Sequence, residues 1–205
     1  MNKFLFAALS TSIMMASTAA MANFVAGKDY TVLEKPVKTD VANKIEVREF
    51  FWYGCGHCFA LEPHMQAWLK QKPQDVNFVR TPAAMNPVWE SNARGYYISE
   101  ALQVRRKTHL ALFHAIHDQR QQIFDQKSQA AFFQKYGGIP EAKFNSMYNS
   151  FPISSKIAQA KQLAASYQLT GVPAVAVNGK YVVQGNDAKV TQVVNYLVQL
   201  ERAKK

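Results

Sequence analysis

The chain has two cysteines, Cys55 and Cys58, set three apart in the run Gly54-Cys55-Gly56-His57-Cys58. Residues at i and i+3 on a helix share a face, roughly 5–6 Å apart at Cβ. That is close enough for a disulfide once the first turn adjusts to the bond's geometry. The ring closed by such a bridge is small. It staples nothing distant, so it can open and close while the rest of the fold stays put, and the pair can cycle between dithiol and disulfide. The other use of a lone cysteine pair is as half of a zinc site. Zinc would need two more ligands, drawn from His64, His109, His114 and His117. Only His114 and His117 are one helical turn apart, and there is no second cysteine pair, so redox chemistry is the stronger reading and no metal is expected.

A working pair needs its first sulfur at a helix N-terminus, where unpaired backbone N–H groups and the macrodipole favour an anion. Residues 44–53 alternate and then turn continuously apolar, as a central strand buried on both faces does. The cysteine motif follows at once. From residue 58 to residue 71 the pattern becomes helical, with Phe59, Met65, Trp68 and Leu69 at workable spacing and Pro73 beyond the end. Val76-Asn77-Phe78-Val79 reads as the next strand, parallel to the first. Cys55 therefore falls at the strand–helix junction. Amides near His57 and Cys58, the Cys58 thiol and a protonated His57 would all stabilise its thiolate. Cys58, a turn deeper, should be buried and less acidic. Cys55 is then the sulfur that attacks and is attacked, and Cys58 resolves. A fall in thiol pKa from about 8.5 to about 4 would favour the dithiol by roughly 4 kcal/mol, or about 90 mV toward a stronger oxidant. The thiolate's surroundings thus decide between oxidant and reductant.

Around this unit the chain divides by pattern. Residues 29–33 are a short strand candidate. Residues 85–166 lose strand signals and read as a helical block. There Leu110, Phe113 and Ile116 share a face, and Ser128 is placed to cap a helix that Gly137-Gly138 stops. Pro140 can open another helix. Ser154 or Ser155 can cap a third, carrying Ile157, Ala160, Leu163, Ala164 and Tyr167. Strands then return on both sides of Asn178-Gly179, a type I′ hairpin signal. A last helix, about 187–202, carries the stripe Val190, Val193, Val194, Leu197 and Leu200. The division is core 23–84, helical insertion 85–166 and core 167–205.

Residues 1–22 have the pattern of an export signal. A positive start at Lys3 precedes an apolar stretch broken by Ser10-Thr11-Ser12, and Ala20-Met21-Ala22 supplies a cleavage site before Asn23. An uncleaved anchor is the weaker alternative, because the run is short and broken. No cysteine lies near the cleavage site, which excludes a lipoprotein. The net charge of +10 comes from scattered Lys and Arg, apart from Arg105-Arg106-Lys107 and the C-terminal tail. Nucleic acid is a poor partner for an exported chain, and a basic, well-solvated surface is expected.

The stretch Val47-Arg48-Glu49-Phe50-Phe51-Trp52-Tyr53-Gly54-Cys55-Gly56-His57-Cys58 resembles the thioredoxin superfamily. With Thr170-Gly171-Val172-Pro173-Ala174 and the export signal, it is similar to the DsbA group of periplasmic thiol–disulfide oxidoreductases. The resemblance implies an α/β, thioredoxin-like fold with an inserted α-helical subdomain. It implies Cys55 as nucleophile, Cys58 as its partner and His57 as the dipeptide residue that stabilises the thiolate. Pro173 matches the group's cis-proline, with Val172 offering backbone hydrogen bonds to an extended substrate segment and Gly56 beside them. Glu49, six residues before Cys55, and more weakly Glu62 on the following helix, stand as possible proton relays, each with a solvent-exposed alternative. The implied partners are newly exported cysteine-containing chains and a DsbB-like membrane reoxidase that passes electrons to quinone. No cofactor beyond the Cys55–Cys58 disulfide is implied, and a monomer is expected. One position departs from the group: its common dipeptide is Pro-His, whereas Gly56-His57 matches protein disulfide isomerases, which bears on oxidising strength. An isomerase or reductase of the same fold is the near rival. A binding module or holdase with idle cysteines is the distant one.

Overall fold

A computed structural model describes residues 23–204. The export signal proposed for residues 1–22 lies outside the described residues. Strand β1 (Thr31–Val32) is shorter than the five residues expected; just before it, Ala26 and Tyr30 form an isolated bridge with each other. Then come β2 (Ile45–Phe51), α1 (Gly56–Lys70) and β3 (Val76–Pro82). Five helices follow: α2 (Pro87–Ala101), α3 (Arg105–His117), α4 (Gln126–Gly137), α5 (Glu141–Tyr148) and α6 (Phe151–Ser166). The chain closes with β4 (Ala174–Val177), β5 (Tyr181–Gln184) and α7 (Ala188–Arg202).

The sheet runs β1-β5-β4-β2-β3. β2 lies parallel to β3 and antiparallel to β4, so its two edges are both paired and all seven of its residues are buried. Its odd-numbered apolar residues Ile45 and Val47 pack with Leu61, Met65 and Trp68 of α1 and with Val193, Val194 and Leu197 of α7. On the other face Phe50 packs with Ala164 and Tyr167 at the end of α6. The third cluster belongs to the helices between β3 and β4, and Phe51, Tyr53 and Cys58 are buried in it. The end of β2 and the start of α1 are therefore clamped between sheet and helices. Among the described residues no helix is long and apolar enough to cross a membrane.

Several local expectations needed correction. Ser128 is not the N-cap of α4. Asp125 is, accepting from the Ser128 amide at 2.8 Å, while Ser128 returns a bond from N3, a reciprocal capping box. Neither Ser154 nor Ser155 starts α6, which begins at Phe151 with Pro152 in its first turn. Leu110 turns outward, whereas its expected face-mates Phe113 and Ile116 are buried. The hairpin holds. Asn178 and Gly179 have φ of 50° and 69°, and the Val37 carbonyl oxygen comes so close to Gly179 that a Cβ there would collide with it.

Candidate active site

Helix α1 begins two residues earlier than its apolar pattern predicts, and this places Cys55 as its N-cap. The Cys55 amide donates to Trp52 O at 3.0 Å, closing a tight turn after β2. Its backbone is extended, its carbonyl accepts the first helical bond from the Phe59 amide, and its Sγ accepts from the Cys58 amide at 3.4 Å. Both cysteines are free thiols, Cys55 half-buried and Cys58 only 1% exposed. The Cys55 thiol also reaches Val172 O at 3.4 Å, across 117 residues of sequence. The Val172–Pro173 peptide bond is cis, as the resemblance implied.

These surroundings treat the two sulfurs oppositely. The Cys58 thiol, donating to the Cys55 sulfur, does most to lower the Cys55 pKa, to about 6. Burial opposes it, and the amides of Cys58 and His57 help, while the charge of His57 adds least. Burial pushes the Cys58 thiol far up, and its bond to Cys55 and the Cys55 and Glu49 charges push it further. The hydrogen bond of the His57 ring itself goes elsewhere. The ring is exposed, with Nδ1 3.0 Å from Asn186 Nδ2 in the loop before α7. A groove of about 310 Å³ runs between them, bordered by His57, Val172, Pro173, Gln184 and Asn186. Gly56 faces open space.

Beneath the cysteines both candidate carboxylates are buried, Glu49 at 1% exposure and Glu62 at 2%. Parallel pairing sets Glu49 of β2 opposite Arg80 of β3. The Arg80 guanidinium holds Glu49 at 2.8 Å through Nε and Glu62 at 2.8 Å through Nη2. Gln66 donates to the same Glu62 oxygen at 2.6 Å. His109 Nε2 faces that oxygen at 3.4 Å, a long contact, while its Nδ1 meets Tyr53 Oη at 2.9 Å. Burial raises Glu49 to about 7 against the pull of Arg80. Burial also pushes Glu62 up, but His109, Arg80 and Gln66 outweigh it and leave it below the ordinary carboxylate range. Burial drives His109 down to about 4. Glu49 acts on Cys58 through its charge.

Arg80, His109, Tyr53 and Asn186 were not anticipated as part of this site. The histidines weighed for zinc are dispersed into other contacts. His117 Nε2 meets Tyr53 O at 2.8 Å, His114 pairs with Asp118, and His64 is half-buried on α1. Among the described residues no group of three or more His, Cys, Asp or Glu is placed to hold a metal.

Residues 89–197 match the DSBA-like thioredoxin domain, a stretch that begins after the cysteines and spans the helices and the cis-proline. The thiol:disulfide interchange protein DsbA of Pseudomonas aeruginosa is 38% identical over 203 residues, which cover 95% of this chain and 96% of that one. The protein of the same name from Burkholderia cepacia is 35% identical over 202 residues, covering 96% and 93%. The crystal structure of Pseudomonas aeruginosa DsbA superposes with a TM-score of 0.83 at 39% identity, over 88% of this chain and 96% of that one. That of DsbA from Xylella fastidiosa gives 0.81 at 33%, over 87% and 98%. An acidic thiol at a helix N-terminus, a buried partner three residues on and whole-length likeness to these proteins lead to one conclusion: the chain belongs to the DsbA family of thiol:disulfide interchange proteins and is a thiol–disulfide oxidoreductase of thioredoxin-like fold.

Proposed function

We propose that this oxidoreductase works as a donor of disulfides to newly exported proteins. A substrate thiolate attacks Cys55 Sγ of the oxidised pair and forms a mixed disulfide, and Cys58 leaves as a thiolate and takes up a proton. A second substrate thiolate then attacks the substrate's own sulfur. Cys55 leaves, both of its bonding electrons stay on it as thiolate, and the substrate keeps the new disulfide. The asymmetry of the two thiols carries this reading. A sulfur with pKa near 6 leaves readily at neutral pH, and its comfort as an anion makes the dithiol the favoured state.

The other residues fit around that step. His57 favours the Cys55 thiolate through its charge. Val172 offers its backbone to an extended substrate strand beside Pro173, with Gly56 leaving the approach open. Glu49 and Glu62, bridged by Arg80, are suited to pass the proton that Cys58 gains and loses. The chain is divided functionally into a core of 23–84 and 167–205 and a helical insertion of 85–166. It acts as a monomer in the periplasm after loss of residues 1–22, without metal or organic cofactor and without nucleic acid. A DsbB-like membrane protein coupled to quinone restores its disulfide.

The decisive measurement is the equilibrium between the dithiol and glutathione. An oxidant settles mostly reduced in a buffer where a structural disulfide stays closed. A pair that remains oxidised against excess reduced glutathione would overturn the proposed direction and leave a reductase or isomerase. Cys55→Ser separates catalysis from binding: disulfide transfer vanishes in a catalyst and survives in a holdase.

A further inference from the structure

The chain passes from β2 to the reactive thiol through a four-residue turn, Trp52-Tyr53-Gly54-Cys55, closed by the Cys55 amide on Trp52 O at 3.0 Å. Turns of types I and II differ by about a half-turn of their central peptide, here the one joining Tyr53 to Gly54. Type II needs positive φ at the third residue, which glycine adopts freely. The φ of Gly54 is not positive, so this turn is not of type II. Packing, rather than φ, requires the glycine: a Cβ there would collide with the Trp52 indole. The turn therefore holds a residue that lets its central peptide turn over, and a contact outside the turn must prevent it.

The side chains around that peptide are already fixed. Asn92, 1% exposed, accepts from Trp52 Nε1 at 2.9 Å, and the indole stacks on Trp89 with centroids 4.9 Å apart. The Tyr53 ring packs on Phe113 and bonds His109. Neither grips the peptide plane itself, and among the described residues no backbone amide reaches Tyr53 O. Its partner is His117 of α3, with Nε2 at 2.8 Å. A carbonyl oxygen only accepts, so Nε2 carries a proton whatever the charge of the ring. The same ring stacks on Phe59, with centroids 4.9 Å apart and planes 8° from parallel. His117 thus touches the chain two residues before Cys55 and one residue after Cys58.

We infer that His117 is a positioning residue for disulfide exchange: its Nε2–H holds the Tyr53 carbonyl, keeps the turn in one form and so fixes Cys55 as the N-cap of α1. The Cys55 sulfur is held as an anion only while it stays at the helix end, where the Cys58 amide reaches it at 3.4 Å. A central peptide free to turn over loosens the residue that follows it and spreads the sulfur over poorer positions. This concerns where the sulfur is held and not the direction of transfer, so it goes beyond the disulfide-donor reading and stands equally for a reductase.

The test compares three variants of the chain from residue 23 to its end. His117→Phe keeps a ring to stack on Phe59 and lacks the N–H. His117→Met and His117→Gln both lack the ring and differ in the N–H. Thiolate absorbance against pH, the equilibrium with glutathione and urea denaturation of both redox forms are measured for each. His117→Phe and His117→Met should raise the Cys55 pKa and move the equilibrium about fivefold toward a weaker oxidant, the share of one hydrogen bond. His117→Gln should stay close to the parent. Equal loss of stability in the two redox forms, with titration and equilibrium unmoved, makes His117 a structural residue only and overturns the inference. So does a His117→Gln that behaves as His117→Met, and that pair decides alone where His117→Phe does not fold. The shifts are read against the parent, so a parent poised as a reductant changes the proposed direction of transfer and leaves this inference in place.

Discussion

β2 carries one arginine-centred cluster on each face, and the two hold the same count of charges with different consequences. On the α6 face Arg48 bonds Glu46 at 2.9 Å, Asp40 at 2.6 Å and the Thr81 hydroxyl at 2.7 Å. Toward α1, Arg80 bonds Glu49 and Glu62. Each has one guanidinium and two carboxylates. In the first, the second carboxylate is wet: the Asp40 side chain is 47% exposed. In the second, both acids are dry, at 1% and 3%. Water absorbs the surplus negative charge of the first cluster. The second has no such outlet, and its surplus appears as a proton on Glu49, raised to about 7. The cluster that can gain and lose a proton near neutrality is the one beneath Cys58.

The largest effect should come from removing each arginine. Arg48→Met leaves Glu46 buried without its cation and should cost about 3–5 kcal/mol in urea denaturation of the oxidised protein at pH 7. It should leave the thiolate titration of Cys55 unchanged. Arg80→Met should cost less, because Glu49 can take up a proton instead of standing as a bare charge. Equal losses at the two positions would erase the distinction between the clusters.

Next in size is the pH dependence of Glu49→Gln. A carboxyl raised from 4.5 to about 7 binds its proton more tightly in the folded state than in the unfolded one. Its favourable contribution is complete below the unfolded value and is lost as pH rises through about 7. The wild type should therefore weaken relative to Glu49→Gln between pH 5 and pH 8, by on the order of 1–3 kcal/mol. Both proteins are compared in the oxidised state, so that Cys55 does not titrate. A difference that stays constant across that range would mean Glu49 holds one protonation state throughout.

A smaller effect separates side-chain charge from backbone at the thiolate. His57 contributes least to the lowered Cys55 pKa, and the Cys58 thiol and two amides remain when its ring is removed. His57→Ser should raise the Cys55 pKa only modestly and shift the glutathione equilibrium several-fold toward a weaker oxidant. Absorbance of the thiolate against pH reads it directly. A Cys55 thiol restored to its free value would show that the ring, rather than the helix N-terminus, holds the anion.

The sequence carries some of this architecture openly. Cys55, Cys58 and Asn178-Gly179 announce themselves because their chemistry is local: spacing of three, and two residues tolerant of positive φ. Pro173 was recognised only through resemblance, since nothing near it in the chain says that its neighbour Val172 will meet a sulfur 117 positions away. The Arg80 cluster was missed for a related reason. The strand read at Val76-Asn77-Phe78-Val79 stopped one residue short of Arg80, and only the longer strand and the parallel register that aligns Glu49 with Arg80 turn two scattered charges into a pair. Opposite charges at matching depth in two consecutive strand candidates are the signal that was available. His109 gave no such cue, because a histidine on a helix looks the same whether it ends in solvent or against a buried tyrosine. Ser128, Ser154 and Ser155 misled because capping preference marks a helix start only to within a turn.

The smallest change concerns Gly56, where this chain departs from the Pro-His dipeptide common in its group. Gly56 is the first residue of α1, a position whose amide has no partner within the helix and whose φ suits proline. A Cβ there meets nothing within 4 Å, and the preceding Cys55 already has the extended backbone, φ −87° and ψ 115°, that proline demands of its neighbour. Gly56→Pro should therefore fold without strain and gain about 0.4–1 kcal/mol by restricting the unfolded chain. The gain arises in the unfolded state, so it should raise the oxidised and reduced forms alike and leave the glutathione equilibrium nearly where it was. Urea denaturation of both forms checks the first half and the equilibrium checks the second. A stabilisation confined to one redox form would show that the dipeptide acts on the sulfurs themselves, and would move Gly56 from the frame of the site into its chemistry.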